Sequence, residues 1–295
     1  LKVRKISPTR IQKVEDIPFL PIQFFKDSSV YCGNSATSNQ VFSSSGTTGS
    51  STSKHYLWSE EFYLNHAQKL FEQTYGSLKD FHVLGLLPAY LERPGSSLVA
   101  MAAHFISQSN SESSGFYLYN QKELVGKLKE LSSGNRKVLL FGVTFALLDL
   151  AESKMPFQGF PNLIVMETGG MKGRRREMIR EEVHQQLKAY FQVDGIHSEY
   201  GMTELLSQGY SNKNGLFETP SWMKIMIREV NDPFNYLEDG KTGGINVIDL
   251  ANLHSCSFIE TQDLGKKQAD GTFEVLVPRD ESINALQLIQ HEITF

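Results

Sequence analysis

The stretch KVLLFGVTFALLDLAESKMPFQGFPNLIVMETGG, residues 137–170, contains two short apolar runs separated by a helical pattern. Residues 137–141 and 162–166 each have the length and composition of a buried strand, and residues 144–153 between them have helical spacing of apolar side chains. A strand, a helix and a second strand in this order form a βαβ unit, whose two strands lie parallel in one sheet. The stretch therefore predicts an α/β fold.

The same alternation extends along most of the chain. Apolar runs and helical patterns follow one another up to about Gly215, after which short apolar runs are separated by turns such as Asp270-Gly271. The additional predicted strands are 81–88, 115–119, 195–198, 225–228, 244–249, 257–260 and 272–277. The additional predicted helices are 59–76, 97–107, 121–131 and 174–190.

These patterns divide the chain into three predicted regions. Residues 1–41, interrupted by several prolines, are expected to form an N-terminal arm packed on the domain, with a short helix near Pro8–Lys13. Residues 42–215 are expected to form an α/β region with a mostly parallel sheet flanked by helices. Residues 216–295 are expected to form a β-rich region that ends in an atypical tail.

Composition excludes several classes of protein. The chain has 295 residues, 40% of them hydrophobic and 21% charged, which argues against global disorder. Its 29 Lys and Arg against 33 Asp and Glu give a net charge of −4, so nothing indicates nucleic acid as a partner. No apolar run approaches the roughly 20 residues of a membrane span. Two cysteines, Cys32 and Cys256, cannot form a disulfide framework, and we expect a cytoplasmic protein.

A loop rich in Ser, Thr and Gly, SSSGTTGSSTSK, occupies residues 43–54. Backbone N–H groups near glycine and side-chain hydroxyls bind phosphate oxygens, and Lys54 would add a positive charge. The P-loop pattern is not met, because His55 rather than Ser or Thr follows Lys54. A flexible linker fits the composition equally well. The candidate phosphate-binding residues are Ser44, Ser45, Gly46, Thr47, Thr48, Gly49 and Lys54.

Two further segments follow predicted strands. Paired glycines in ETGGMKG, residues 167–173, would let a ligand lie against the backbone, although a glycine turn with a solvated basic run explains them equally. In HSEYGMTE, residues 197–204, Tyr200 offers a stacking face, Thr203 a hydroxyl and Glu204 an oxygen ligand suited to Mg²⁺. An ordinary surface glutamate is the alternative, and for His197 a packing role is favoured over that of a base.

The fourth segment is ETQDLG, residues 260–265. An acidic side chain placed after a strand, as we expect for Asp263, can accept hydrogen bonds from two ribose hydroxyls. A turn aspartate before Gly265 is the alternative, and on this segment alone it is the favoured one.

Taken together in this order, the four segments resemble the motifs of the adenylate-forming acyl ligase superfamily, over residues 42 to about 273. SSSGTTGSSTSK resembles its Ser/Thr/Gly-rich loop, ETGGMKG its adenine-side glycine segment, YGMTE its aromatic-Gly-x-Thr-Glu motif and TQDLG its ribose-binding motif. Residues 86–105, LLPAYLERPGSSLVAMAAHF, together with TGGMKG, are more similar to the acyl-protein synthetase family of bacterial bioluminescence, the synthetase component of fatty-acid reductase. The phenylacetate–coenzyme A ligases are related to that family.

The resemblance implies the large-domain fold of adenylate-forming enzymes and an ATP- and Mg²⁺-dependent activation of a carboxylic acid, a fatty acid in the acyl-protein synthetases. The acyl group would pass from the adenylate to a thiol of coenzyme A or of a partner protein, such as a reductase or acyltransferase subunit. Two alternatives stay open: a coenzyme A ligase of the phenylacetate type, and a non-catalytic binding subunit with the same fold.

The resemblance also assigns roles to single residues. Ser44 to Gly49 and Lys54 would hold the ATP phosphates, and Tyr200 would stack on the adenine. Thr203 would lie near the α-phosphate and Glu204 would bind Mg²⁺. The implied catalytic residues are Lys54, Thr203 and Glu204. The other implied nucleotide-binding residues are Gly169, Gly170, Gly201, Met202 and Asp263. Candidate walls for an acyl pocket, equally explained as core, are Leu86, Leu87, Tyr90, Met101, His104 and Phe105.

Two features depart from the family pattern. The hinge and the mobile C-terminal lid domain with its catalytic lysine are not recognisable after residues 273–276, so we expect the lid to be missing and turnover to be weak. The acceptor cysteine that the bioluminescence synthetases carry near the C-terminus has no counterpart either. Cys256 precedes Asp263 and is better explained as a small buried side chain.

Overall fold

The computed structural model describes residues 7–33, 40–44, 52–87, 95–117, 120–171 and 178–276. In this part of the chain the strands are β1 (Leu20–Pro21), β2 (Val41–Ser43), β3 (Lys54–Tyr56), β4 (Phe81–Leu86), β5 (Gly115–Phe116), β6 (Lys137–Val143), β7 (Leu163–Thr168), β8 (His197–Tyr200), β9 (Gly209–Ser211), β10 (Phe217–Glu218), β11 (Met223–Arg228), β12 (Thr242–Asp249), β13 (Phe258–Lys267) and β14 (Phe273–Leu276). The α-helices are α1 (Phe24–Asp27), α2 (Glu60–Tyr75), α3 (Ser97–Gln108), α4 (Gln121–Leu131), α5 (Thr144–Glu152) and α6 (Arg180–Phe191).

Twelve strands form one sheet with the order β11-β12-β13-β14-β10-β9-β8-β7-β6-β4-β5, and β1 pairs with β13. The pairs from β5 to β8 are parallel, as βαβ connections require. From β8 through β14 to β11 every neighbouring pair is antiparallel. The predicted α/β fold with a β-rich continuation is therefore confirmed. The three predicted regions stay a prediction, since strands from both sides of residue 215 belong to the same sheet.

Local signals fix the ends of the helices. The side chain of Ser59 accepts a hydrogen bond from the N–H of Phe62 and begins α2, and Gly76, with φ of +93°, ends it. The predicted helix 174–190 begins later than expected, because α6 starts at Arg180 and residue 179 is extended. Residues 174–177 of that prediction lie outside the described residues.

The parallel strands form the centre of the larger core. Residues 138–143 of β6 are all buried, as a strand covered on both faces requires, and α2 to α6 pack their apolar sides against the sheet's core. A second apolar cluster lies under the antiparallel half and contains the rings of Phe25, Tyr200, Phe217 and Phe273. Because Tyr200 ends β8, this second cluster begins where the parallel half of the sheet ends.

Several strands differ from the sequence-based expectation, and β1, β9 and β10 have no predicted counterpart. The hairpin of β2 and β3 was not predicted, because each strand has only three residues. The predicted strand 257–260 extends to Lys267, so the expectation that Asp263 follows a strand is wrong. Asp263 lies within β13, and the alternative of a turn aspartate is wrong for the same reason. The predicted helix near Pro8–Lys13 is a 3₁₀ turn at Pro8–Arg10.

Candidate functional site

The carboxyl ends of β7 and β8 place two predicted segments side by side. The two strands are parallel neighbours, with Thr168 paired to Glu199. Gly169 therefore leaves β7 next to the end of β8, and its φ of +77° favours glycine. At Gly170 an added Cβ would meet no atom of the described residues within 4 Å, so none of them crowds the backbone there. Ligands of open α/β sheets bind at this kind of strand end.

Tyr200 joins this sheet edge to the predicted ribose aspartate. Its hydroxyl donates a hydrogen bond of 2.8 Å to Oδ2 of Asp263. The sheet curves enough for this contact, although β14, β10 and β9 lie between β13 and β8 in strand order. The Tyr200 ring is buried and packs edge-on against Phe217 and Phe273. Stacking of this ring on an adenine stays a prediction.

The hydroxyl of Tyr200 is held as a donor. Burial raises the pKa of Tyr200 well above its ordinary value, and the negative charge of Asp263 raises it further. A protonated phenol donates to the carboxylate of Asp263 and ties the end of β8 to β13. Binding of a ribose by Asp263 stays a prediction.

The segment after β8, residues 201–205, forms a tight corner. An added Cβ at Gly201 would lie 2.3 Å from Oε1 of Glu199, so a larger residue there would force the Glu199 carboxylate to move. The carbonyl oxygen of Thr203 lies 2.8 Å from Nδ1 of His55, and the carbonyl oxygen of Glu204 accepts a hydrogen bond of 2.8 Å from Asn252. Glu204 itself is 5% exposed. Met202 and Thr203 are half-buried on the same corner.

The ends of the serine-rich loop are held together by the β2–β3 hairpin. Ser43 pairs with Lys54, the N–H of Ser44 donates to the carbonyl of Ser53, and the N–H of Ser53 donates to Oγ of Ser44 at 2.9 Å. Lys54 is exposed, one residue before His55. The predicted residues Ser45, Gly46, Thr47, Thr48 and Gly49 lie outside the described residues.

Contacts thus connect the described parts of all four predicted segments. Gly169 and Gly170 lie beside the end of β8, Tyr200 binds Asp263, and Thr203 is bonded to the residue after Lys54. The four segments are separated by up to about 200 residues of chain, yet the fold gathers them at one end of the parallel strands. A common site for all predicted residues stays a prediction, since their roles need a bound ligand to be observed.

A buried group of charges beneath Gly169 was missed by the sequence analysis. Glu167 accepts hydrogen bonds from Thr144 at 2.7 Å and from Arg180 at 3.2 Å, and His184 lies 3.7 Å away. Burial alone would raise the pKa of Glu167, but the His184 hydrogen bond and the Arg180 charge outweigh it and lower the pKa to about 2. Glu167 was part of the ETGGMKG segment, but nothing in the sequence indicated its partners.

A small cavity of about 50 Å³ lies above this ion pair, between Gly169, Gly170 and the start of α6. Its polar lining comes from Thr144, Glu167 and Arg180, and methionine side chains complete the wall. The volume is sufficient for a few water-sized groups at most. It continues the glycine surface at the end of β7 and does not form a separate chamber.

Other predicted features fall in different surroundings. Leu86, Leu87, Met101 and Phe105 are buried in the larger core, His104 is half-buried and Tyr90 lies outside the described residues. His197 is buried and contacts the hydroxyl of Tyr75 at 3.2 Å, in agreement with the packing role favoured for it. Cys256 is half-buried and Cys32 is exposed, and both are free thiols.

No described helix combines the length and the apolarity that crossing a bilayer demands. No group of three or more His, Cys, Asp or Glu side chains in the same residues could hold a metal ion. Mg²⁺ commonly binds through one or two carboxylates together with substrate phosphates, so a single Glu204 fits that mode of binding.

Solved structures with a similar fold include ATP-bound MatB from Rhodopseudomonas palustris, with a TM-score of 0.57 and 15% identity over 80% of this chain. The o-succinylbenzoate coenzyme A synthetase MenE from Bacillus subtilis, in complex with ATP and magnesium ion, gives a TM-score of 0.57 and 15% identity over 83% of the chain. The chain has the fold of adenylate-forming enzymes.

The match covers only part of these enzymes. The chain spans 47% of the MatB structure and 51% of the MenE structure, about half of each. No protein-family model and no curated protein sequence matches the chain. At 15% identity the likeness establishes the fold alone.

Proposed function

We propose that the chain binds ATP with Mg²⁺ and activates a carboxylic acid as an acyl-adenylate. The observation that carries the proposal is the contact between Tyr200 and Asp263, because it brings the aromatic-Gly-x-Thr-Glu motif and the predicted ribose aspartate together across three intervening strands. The adenylate-forming fold supports the same conclusion, since MatB and MenE, which share it, are described with ATP bound.

Each described site residue would contact a different part of ATP. Gly169 and Gly170, beside the end of β8, would lie against the adenine, and Asp263, in contact with Tyr200, would bind the ribose. Thr203 and Glu204 would act at the α-phosphate and at Mg²⁺, and the exposed Lys54 would supply positive charge for the phosphates.

The chemistry requires little covalent work from the protein. A carboxylate oxygen of the acid attacks the α-phosphorus, forming an acyl–phosphate bond, and pyrophosphate leaves with the electrons of the broken bond. Positioning and neutralisation of charge supply most of the rate enhancement in phosphoryl-type transfers. Lys54 would neutralise the phosphates and Thr203 would donate to an α-phosphate oxygen. Mg²⁺ at Glu204 would supply Lewis-acid stabilisation of the departing charge.

The identity of the acid and of the acceptor belongs to the same proposal. The likeness of residues 86–105 to acyl-protein synthetases favours a fatty acid, and the apolar side chains of Leu86 and Met101 on β4 and α3 are compatible with an acyl chain nearby. The fold shared with MenE, a coenzyme A synthetase, favours coenzyme A as the thiol acceptor. Transfer to a cysteine of a reductase or acyltransferase subunit is the second candidate, favoured by the TGGMKG segment.

ATP–pyrophosphate exchange with a panel of carboxylic acids tests the activation step. The proposal expects exchange that depends on both the acid and Mg²⁺, strongest for fatty or aryl acids. Addition of coenzyme A or of a candidate acceptor protein to the positive reaction then identifies the thiol. Binding of ATP without exchange with any acid would contradict activation and favour the non-catalytic binding subunit. A protein that binds no ATP would overturn the proposal altogether.

Two substitutions test the assignment of the site. Asp263→Ala should weaken the binding of ATP and of AMP alike, because both contain the ribose; loss of ATP binding alone would contradict the ribose role. Glu204→Ala should weaken Mg²⁺-dependent binding of ATP and leave the binding of adenosine intact. Asp270→Ala, an exposed carboxylate that bonds only within its own turn to Thr272, is the matched control and should change neither.

A further inference from the structure

His55 lies on the strand that follows the serine-rich loop, and its side chain contacts the corner of residues 201–205. It belongs to β3, directly after Lys54, and it is 1% exposed. Its Nδ1 lies 2.8 Å from the carbonyl oxygen of Thr203, and its Nε2 lies 3.0 Å from Oδ1 of Asn252. His55 is outside all four sequence motifs, and the proposed nucleotide site as described so far does not use it.

Asn252 continues the connection to the next residue of the corner. It is also 1% exposed, and its amide nitrogen donates to the carbonyl oxygen of Glu204 at 2.8 Å. The amide orientation is fixed by this bond, because a carbonyl can only accept. Two buried side chains therefore hold the carbonyls of Thr203 and Glu204, the two residues predicted to act at the α-phosphate and at Mg²⁺.

Asp249 holds the two residues that directly follow the corner. Its Oδ2 accepts the N–H groups of Leu206 and Ser207, both at 2.9 Å, and its Oδ1 accepts the hydroxyl of Ser207 at 2.7 Å. These bonds fix the corner to the end of β12. The bond from His55 differs in kind, because it connects the corner to the hairpin that carries Lys54.

We propose that His55 is a positioning residue for the nucleotide phosphates, which sets the separation between Lys54 and the Thr203–Glu204 pair. The inference rests on the proposed function and adds a residue to it. Charge stabilisation of a triphosphate by a lysine and a metal-bound carboxylate depends on their mutual placement. A rigid, buried ring between the two elements maintains that placement without touching the ligand.

The donor that matters is the N–H at Nδ1. The carbonyl of Thr203 cannot donate, so Nδ1 must carry the hydrogen. Burial lowers the pKa of His55, opposed by its hydrogen bonds to Thr203 and Asn252 and by the nearby charge of Asp249. A neutral ring with its hydrogen on Nδ1 keeps the bond to Thr203 and gives up the bond to Oδ1 of Asn252, which also can only accept; with hydrogen on both ring nitrogens, both bonds form.

This geometry distinguishes conservative substitutions. An asparagine side chain places its amide nitrogen near the position of a histidine Nδ1, whereas a glutamine places it near Nε2. His55→Asn should therefore keep a donor for Thr203 and retain most of the affinity for Mg²⁺-ATP. His55→Gln and His55→Leu lack that donor, and each should bind Mg²⁺-ATP roughly 10- to 100-fold more weakly, as is typical when an outer partner of a metal site is lost.

The affinity for adenosine, which has no phosphates, distinguishes a loss of phosphate positioning from a general disruption of the fold. This affinity, measured by equilibrium dialysis, should be the same in the wild-type protein and in all three variants, because Gly169 and the Tyr200–Asp263 pair are unchanged. His82→Gln is the control: His82 is a half-buried histidine on β4, bonded to Ser111 at 2.6 Å, and its variant should leave both affinities unchanged.

Several results would overturn the inference. A parallel loss of adenosine and Mg²⁺-ATP affinity would mean that His55 only maintains the fold. Equal Mg²⁺-ATP affinities of the asparagine and glutamine variants, or wild-type affinity in all three, would exclude the role of the Nδ1 donor while leaving ATP binding itself intact. A wild-type protein that binds no Mg²⁺-ATP would instead overturn the proposed function. If His55→Leu fails to fold, the asparagine–glutamine pair still decides.

Discussion

The ion pair of Glu167 beneath Gly169 is expected to stabilise the folded protein in a pH-dependent way. The pKa of Glu167 falls from 4.5 to about 2 in the folded protein, because the hydrogen bond of His184, the charge of Arg180 and the hydroxyl of Thr144 outweigh the effect of burial. At about 1.4 kcal/mol for each tenfold change, a fall of about 2.5 in pKa corresponds to about 3 kcal/mol of stability. Glu167→Gln should lower the free energy of unfolding by that amount at neutral pH.

The pH dependence gives the sharper test. Because the folded state lowers the pKa of this carboxyl, its contribution is complete above the unfolded value of about 4.5 and is lost as the pH falls through about 2. At about pH 3.5 the contribution should be smaller by about 1 kcal/mol, so the gap in unfolding free energy between wild type and Glu167→Gln should narrow from about 3 to about 2 kcal/mol.

Urea unfolding at both pH values, followed by the fluorescence of Trp58 and Trp222, measures this gap. Other groups that titrate in the same range act on both proteins and cancel in the difference. Glu130→Gln is the control, because Glu130 pairs with Lys127 on the surface, where solvent screens the pair, and its loss should leave the unfolding midpoint nearly unchanged. A gap for Glu167→Gln that is the same at both pH values would refute the reasoning.

Three further predictions concern stability around the site, each measured by urea unfolding. Tyr200→Phe should lower the free energy of unfolding by about 1.5–3 kcal/mol, because its hydroxyl donates to the charged Asp263 at 2.8 Å. An unchanged urea midpoint would contradict a stabilising role of that hydrogen bond. Gly265→Ala should lower the free energy of unfolding by about 2 kcal/mol, because its Cβ would lie 2.3 Å from a backbone oxygen of the neighbouring strand. Gly170→Ala, where no described atom lies within 4 Å of the Cβ, should change it by less than about 0.5 kcal/mol. Similar losses in the two variants would contradict the packing argument. Burial lowers the pKa of His197 to about 4, so stability should fall between about pH 6.5 and 4, and His197→Gln should flatten this part of the profile; an unaltered profile would show that another group titrates there.

Local patterns predicted the parallel half of the fold well. The helix 121–131 was found at its observed limits, because Asn120 provides an N-cap and the apolar residues keep helical spacing. The strand–helix–strand unit of residues 137–170 was recognisable for the same reason, since its strands are buried on both faces and consist of continuous apolar runs.

The antiparallel half was less predictable, because its pairing depends on distant residues. β2 and β3 have three residues each, and β10 has two, too few to show a period. β13 continues through the polar residues Thr261 to Asp263, so the sequence suggested that the strand had ended. Long-range pairing with β12 and β14 outweighs the weak local preference there.

The candidate site shows the same division. Tyr200, Thr203, Glu204 and Asp263 were predicted as site residues because they belong to recognisable motifs, and Tyr200 and Asp263 are in direct contact. His55 could not be found in this way, because its partner lies 148 residues away in the chain. A buried histidine ring requires hydrogen-bond partners, and only the folded structure shows that one partner of His55 is the carbonyl of Thr203.

The junction between the two halves of the sheet is narrow. β9 and β10 pair through two residue pairs, and β10 joins β14 through the pair Phe217 and Phe273 alone. Few backbone hydrogen bonds therefore oppose bending at this point, and the junction is expected to act as a hinge between the two halves of the sheet. A molecule in contact with both Gly170 and Asp263 would span that hinge. Its binding would reduce the bending of the two halves at the junction that has the fewest backbone hydrogen bonds to resist it.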